Sequence, residues 1–110
     1  MIARLWRGWA RTSADGDEYV RFLRESFLPS AADLPGFNGA SVMRRRLENG
    51  DTEFLTMTRF ASLNAVKSFA GENYEEANVA QRARELLSHF EPRCVHYDIA
   101  LCDDDLRGRR

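Results

Sequence analysis

Alternation and helical spacing divide the chain into six stretches. Ile2 to Ala10 reads as a strand with Ile2, Arg4, Trp6 and Gly8 on one face and Ala3, Leu5, Arg7 and Trp9 on the other. Each face holds a tryptophan, which a sheet with one wet face disfavours. Asp15 and Glu18, three apart, resemble a capping box. Tyr19, Phe22, Leu23 and Phe27 then recur at helical spacing. Pro29 is expected to end or kink this helix near Leu28, with a short further turn towards Leu34, and Leu34-Pro35-Gly36 is a stop.

Strands are expected over Gly39 to Glu48 and Glu53 to Phe60, joined by a hairpin turn at Asn49-Gly50-Asp51, where Asn and Gly accept positive φ. In the second of these, Phe54, Thr56, Thr58 and Phe60 share a face, and Leu55, Met57 and Arg59 take the other. Ser62 is a good N-cap for a helix whose stripe is Leu63, Val66, Phe69, Ala70 and Tyr74, with Gly71 as a break. A further helical stretch holds Ala83, Leu86, Leu87 and Phe90, with His89 at its end as a favourable C-terminal charge, and Pro92 bars its continuation. Arg93 to Cys102 completes the pattern as a strand.

The order β-α-β-β-α-β predicts an α+β, ferredoxin-like fold: a four-stranded antiparallel sheet with helices on one face. The other face is left bare, yet several strands are apolar on both sides. A second copy across a two-fold axis would cover it, so a homodimer is expected.

Composition narrows the partners. The 110 residues suit one domain, expected over residues 1–102, with a flexible tail from Asp103 to Arg110. The net charge of −1 argues against nucleic acid. No stretch is long and apolar enough for a membrane, and Arg4 and Arg7 interrupt the opening run as a signal segment. Cys94 and Cys102, eight residues apart on one expected strand, would be roughly 26 Å apart, beyond disulfide reach. A reducing, cytoplasmic location is expected. No Cys/His spacing suits a metal, and no phosphate loop, dinucleotide fingerprint or nucleophile elbow is present.

Three stretches carry a resemblance: Leu34-Pro35-Gly36-Phe37 feeding the second strand, Arg59-Phe60-Ala61-Ser62-Leu63 at the end of the third, and Val95-His96-Tyr97-Asp98-Ile99 in the last. With the element order, they make the chain resemble the antibiotic biosynthesis monooxygenase (ABM) domain family of the dimeric α/β-barrel superfamily, over Ile2 to about Leu101. These motifs are mostly structural. The resemblance implies a homodimer and, for some members, oxidation of aromatic polyketides by dioxygen without a prosthetic group. Other members degrade haem, and others are stress- or signalling-related. The haem-degrading branch uses an Asn on strand one, a Trp ending strand three and a His in the second helical region. Here strand one has no Asn, Phe60 stands for the Trp, and no His occurs between Ser62 and Ser88.

The function implied is a cofactor-independent monooxygenase-like activity on a small phenol or quinol, with no cofactor and no metal. The alternative is a non-catalytic ligand-binding or structural dimer. Within this frame His96 is the candidate base, since His titrates near neutral pH; otherwise it is a hydrogen-bonded interface residue. Trp6, Phe27, Phe69 and Tyr74 are candidates to hold an aromatic substrate, or simply core. Arg4 and Arg59 are candidates to orient an enolate or carboxylate, or surface ion-pair residues. An RNA-recognition domain shares the element order, but strand three lacks the basic-Gly-aromatic signature.

Overall fold

The computed structural model describes residues 1–103, so the tail expected after Asp103 lies outside the described residues. Strand β1 (Ile2–Ala10) is followed by α1 (Ser13–Phe22), a π-helical stretch (Leu23–Phe27) and α2 (Leu28–Ala32). The hairpin β2 (Phe37–Arg46) and β3 (Thr52–Phe60) comes next, then α3 (Leu63–Ala70), α4 (Gln81–Leu86), β4 (His89–Phe90) and β5 (Val95–Asp98). All pairings are antiparallel, in the order β2-β3-β1, with β4 and β5 both on the free edge of β1. This is the ferredoxin-like α+β arrangement.

The helix-side face of the sheet carries Arg4, Trp6, Gly8 and Ala10 of β1 against Thr58, Thr56, Phe54 and Thr52 of β3, because directly opposed residues share a face. The core lies beneath α1 and α4, where Ala10, Tyr19, Leu23, Phe54, Ala83, Leu86 and Leu87 cluster. A Cβ on Gly8 would stand 2.7 Å from Leu87 Cδ1, so glycine leaves room there for the Leu87 side chain at the end of α4. Across the other face run Met43, Leu55, Met57, Leu5, Val95 and Tyr97, flanked by the Arg45–Glu53 ion pair at 3.2 Å. Among these Met43, Val95 and Tyr97 are 43–58% exposed, which makes this a large apolar surface on the chain.

Several expectations are corrected. Helix α1 is capped by Thr12, whose Oγ1 accepts from Asp15 N at 3.1 Å; the Asp15/Glu18 pair lies inside the first turns instead. Pro29 does not end the helix. It sits in the first turn of α2, where a missing N–H costs least, and the backbone widens into the π-helical stretch just before it.

The single last strand expected over Arg93 to Cys102 is two short ones. Gly8 pairs with Phe90 and Leu5 with Val95, so two extra residues bulge out between β4 and β5 around Pro92. Phe90 and His89 are therefore strand residues, and His89 stacks on Trp9 with ring centres 4.4 Å apart. Cys94 precedes β5 and Cys102 follows it; neither forms a disulfide among the described residues.

Candidate functional site

A cavity of about 260 Å³ lies between the helix-side face of the sheet and the helices, and it opens to solvent. β1 supplies Arg4 and Trp6, and β3 supplies Thr56 and Thr58. Tyr19, Phe22, Leu23 and Phe27 come from the first helical run, and Phe69 from α3. The fourth wall is the segment after Gly71: Ala77, Asn78, Val79 and Ala80. That segment is tied to the bulge of the last strands, since Ala77 N donates to Pro92 O at 2.9 Å and Cys94 N to Glu75 O at 2.7 Å.

The sheet register decides which face each candidate takes. Arg4 opposes His96 and Thr58 in the pairing, so all three lie on the helix side. Trp6 shares that face, and its indole N–H donates to Glu91 O at 2.6 Å, fixing the ring as a cavity wall. Phe27 and Phe69 meet edge to face at 6.1 Å. Arg59 is not part of this constellation: it opposes Ala3 and points to the other face of the sheet. Tyr74 contributes its backbone. Its carbonyl accepts from Arg4 Nη1, and its ring stands edge-on to His96 at 5.2 Å, outside the cavity lining.

Arg4 is the polar centre. The residue is only 8% exposed, and its guanidinium lies 5.8 Å from the Phe69 ring. Nη1 also stands 3.0 Å from His96 Nε2. A guanidinium has no lone pair to accept with, so Nε2 must be the acceptor and the imidazole proton resides on Nδ1. Burial, and after it the charge of Arg4, push the His96 pKa down. His96 is thus a neutral prop behind Arg4, and its ring does not line the cavity.

Two polar groups were legible only in hindsight. Thr56 lines the cavity, and its Oγ1 is buried with no well-formed hydrogen bond among the described residues. Its near neighbour is the Tyr19 hydroxyl, on which Thr56 acts weakly against the effect of burial. Burial drives that hydroxyl up to about 12, so it stays protonated at neutral pH. The signal was the alternation Phe54-Thr56-Thr58-Phe60: two hydroxyls between two fully buried rings mark a place where the core is interrupted. Cys94 also lines the cavity, its thiol pushed up by burial. Among the described residues no cluster of His, Cys, Asp or Glu is arranged to hold a metal ion, and no helix is long and apolar enough to cross a membrane.

No family model matches the chain, and no curated protein does. Solved structures do. A monooxygenase from Streptomyces coelicolor, in complex with nanaomycin D, aligns at 16% identity over 92% of this chain and 88% of its own, with a TM-score of 0.65. The haem degrader MhuD of Mycobacterium tuberculosis, solved with two haems in its active site, aligns at 16% identity over 93% and 98%, with a TM-score of 0.63. A Bacillus cereus protein assigned as an antibiotic biosynthesis monooxygenase aligns at 16% identity over 92% of both chains, with a TM-score of 0.60. The chain therefore has the fold shared by the antibiotic biosynthesis monooxygenases and this haem degrader.

Proposed function

We propose that the protein binds a small aromatic compound in the helix-side cavity and oxidises it with dioxygen, as a monooxygenase-like enzyme without a prosthetic group. The observation that carries this reading is the cavity itself: about 260 Å³ walled by Trp6, Phe22, Phe27 and Phe69, with one buried guanidinium at its floor. Rings offer flat faces to a planar ligand, and Arg4 favours negative charge on a ligand oxygen. Such chemistry asks little else of the protein. A phenol supplies all the electrons: one oxygen atom joins a ring carbon, the other leaves as water with that carbon's hydrogen and the phenolic hydrogen, and a quinone remains. The neighbour crystallised with nanaomycin D adds support from the same fold.

In this proposal Arg4, Trp6, Phe27 and Phe69 touch the substrate, while Tyr74 and His96 hold Arg4 in place. A base role for His96 requires Nε2 to leave the guanidinium first. The exposed face bearing Met43, Val95 and Tyr97 is proposed to meet a second copy in a two-fold homodimer. A cytoplasmic setting is proposed from the buried, protonated Cys94.

Oxygen uptake with naphthols, hydroquinones and dihydroxynaphthalenes tests the reading. Uptake with one labelled oxygen atom entering the product is expected. Saturable binding with no oxygen consumption across the panel would leave a ligand-binding dimer and remove the enzyme.

A further inference from the structure

We propose that the cavity is built for an aromatic acid, whose ring lies against Trp6, Phe22 and Phe27 and whose carboxylate, ionised before it arrives, becomes the counter-charge of Arg4. This rests on the reading of the cavity as a ligand site and deepens it by naming the group that anchors the ligand.

The argument starts from a charge out of balance. Arg4 is buried, and no carboxylate lies within ion-pair reach of it among the described residues. Its partners are a carbonyl, a neutral imidazole and a phenyl ring. A buried cation left without an anion is costly, and proteins seldom keep one without use. Both recorded hydrogen bonds leave from Nη1, which spares the rest of the guanidinium fork for a planar carboxylate. Thr56, diagonal to Arg4 on the sheet, lines the same space, with its Oγ1 turned away from solvent beside the Tyr19 hydroxyl. An uncompensated guanidinium in a largely apolar chamber marks where a ligand's anionic group belongs.

Nothing in the chamber makes an anion or takes a proton at neutral pH. The lining holds no Asp, Glu or His. Tyr19 and Cys94 are held protonated by burial. The acceptor nitrogen of His96 is engaged by Arg4 itself. A neutral phenol would therefore have to ionise unaided, with a pKa of about 10, whereas a carboxylic acid, at about 4, arrives as the anion. The volume is below the roughly 300–1,000 Å³ of sites for drug-sized ligands, which leaves room for one or two fused rings.

An isosteric series on the unaltered protein tests this by calorimetry at neutral pH: 2-naphthoate, 2-naphthamide and 2-naphthol. The expected result is that 2-naphthoate binds at least tenfold tighter than either neutral analogue. In Arg4→Met the preference should vanish while 2-naphthamide affinity stays within about threefold. Equal or tighter binding of the neutral analogues by the unaltered protein overturns the carboxylate anchor and leaves the aromatic-cavity reading standing. Absence of binding by all three overturns both.

Discussion

Replacing Arg4 with Met separates an uncompensated buried cation from one held in an ion pair. Removing one partner of a buried pair costs about 3–5 kcal/mol, because the other charge is stranded. Arg4 strands no charge. Its removal frees the fold from holding a desolvated guanidinium, and replacing buried charges with apolar groups of similar volume gains about 1–4 kcal/mol. The cavity opens to solvent, so hydration is only partly lost and the gain falls near about 1–2 kcal/mol. Against it stand the Tyr74 carbonyl and the half-buried His96 Nε2, which both lose their donor; an acceptor left unpaired costs about 1–3 kcal/mol, and less where water reaches it, as it does at this open cavity. Gain and cost nearly cancel. Arg4→Met is expected to unfold in urea within about 1 kcal/mol of the unaltered protein, or about 4 °C in Tm for a chain of this size. Both proteins must be compared at one concentration, since any dimer adds stability by mass action. A loss of 3 kcal/mol or more would refute the reasoning, for it would mean that Arg4 already has a carboxylate partner.

Other outcomes follow from particular contacts. Gly36 has φ of 82° and a Cβ there would stand 2.6 Å from Ala65 Cβ on α3, so Gly36→Ala should cost at least about 1–3 kcal/mol in chemical denaturation; an unchanged midpoint would show that this turn tolerates rearrangement. Burial and Arg4 depress the His96 pKa in the folded protein, so below the unfolded value of about 6.5 the unfolded chain binds more protons. The stability tied to His96 is therefore complete above about pH 6.5, is lost as pH falls towards the folded pKa, and is level below it; urea midpoints of His96→Gln should lack that decline, and identical slopes in both proteins would contradict it. Met57 lies mid-sheet on the exposed apolar face, between Leu5 and Ser41. Met57→Arg should raise the dimer dissociation constant at least about hundredfold by sedimentation, since it buries two unpaired charges; a parent protein already monomeric at micromolar concentration would remove the dimer itself.

What could be read before the structure depended on whether the deciding interaction was local. The β2–β3 hairpin and the Ser62 cap rest on a few adjacent residues with one low-energy arrangement, and Gly50 (φ 92°) and the Ser62 Oγ bond to Ala65 N at 3.2 Å follow directly from them. The break in the last strand was not local. Alternation from Cys94 to Leu101 looks continuous, but Pro92 lacks the donor a ladder needs, and Glu91 O is claimed by the indole of Trp6, a residue 85 positions away. Those long-range bonds convert an expected single strand into two with a bulge between. The same limit applied to the site. Period-two alternation put Arg4 with Trp6 on one face of the first strand, and Phe54 with Thr56 and Thr58 on one face of the third, without saying that the two faces coincide or that the helices would cover them. It also could not foresee that His96 would come into register with Arg4 and spend its lone pair there. An arginine on a strand is ordinarily a solvent-reaching residue. Only the packing of α3 and the segment after Gly71 over the sheet turns Arg4 into a buried charge facing a largely apolar space, and it is that conversion, invisible in the order of residues, on which the proposed preference for an anion rests.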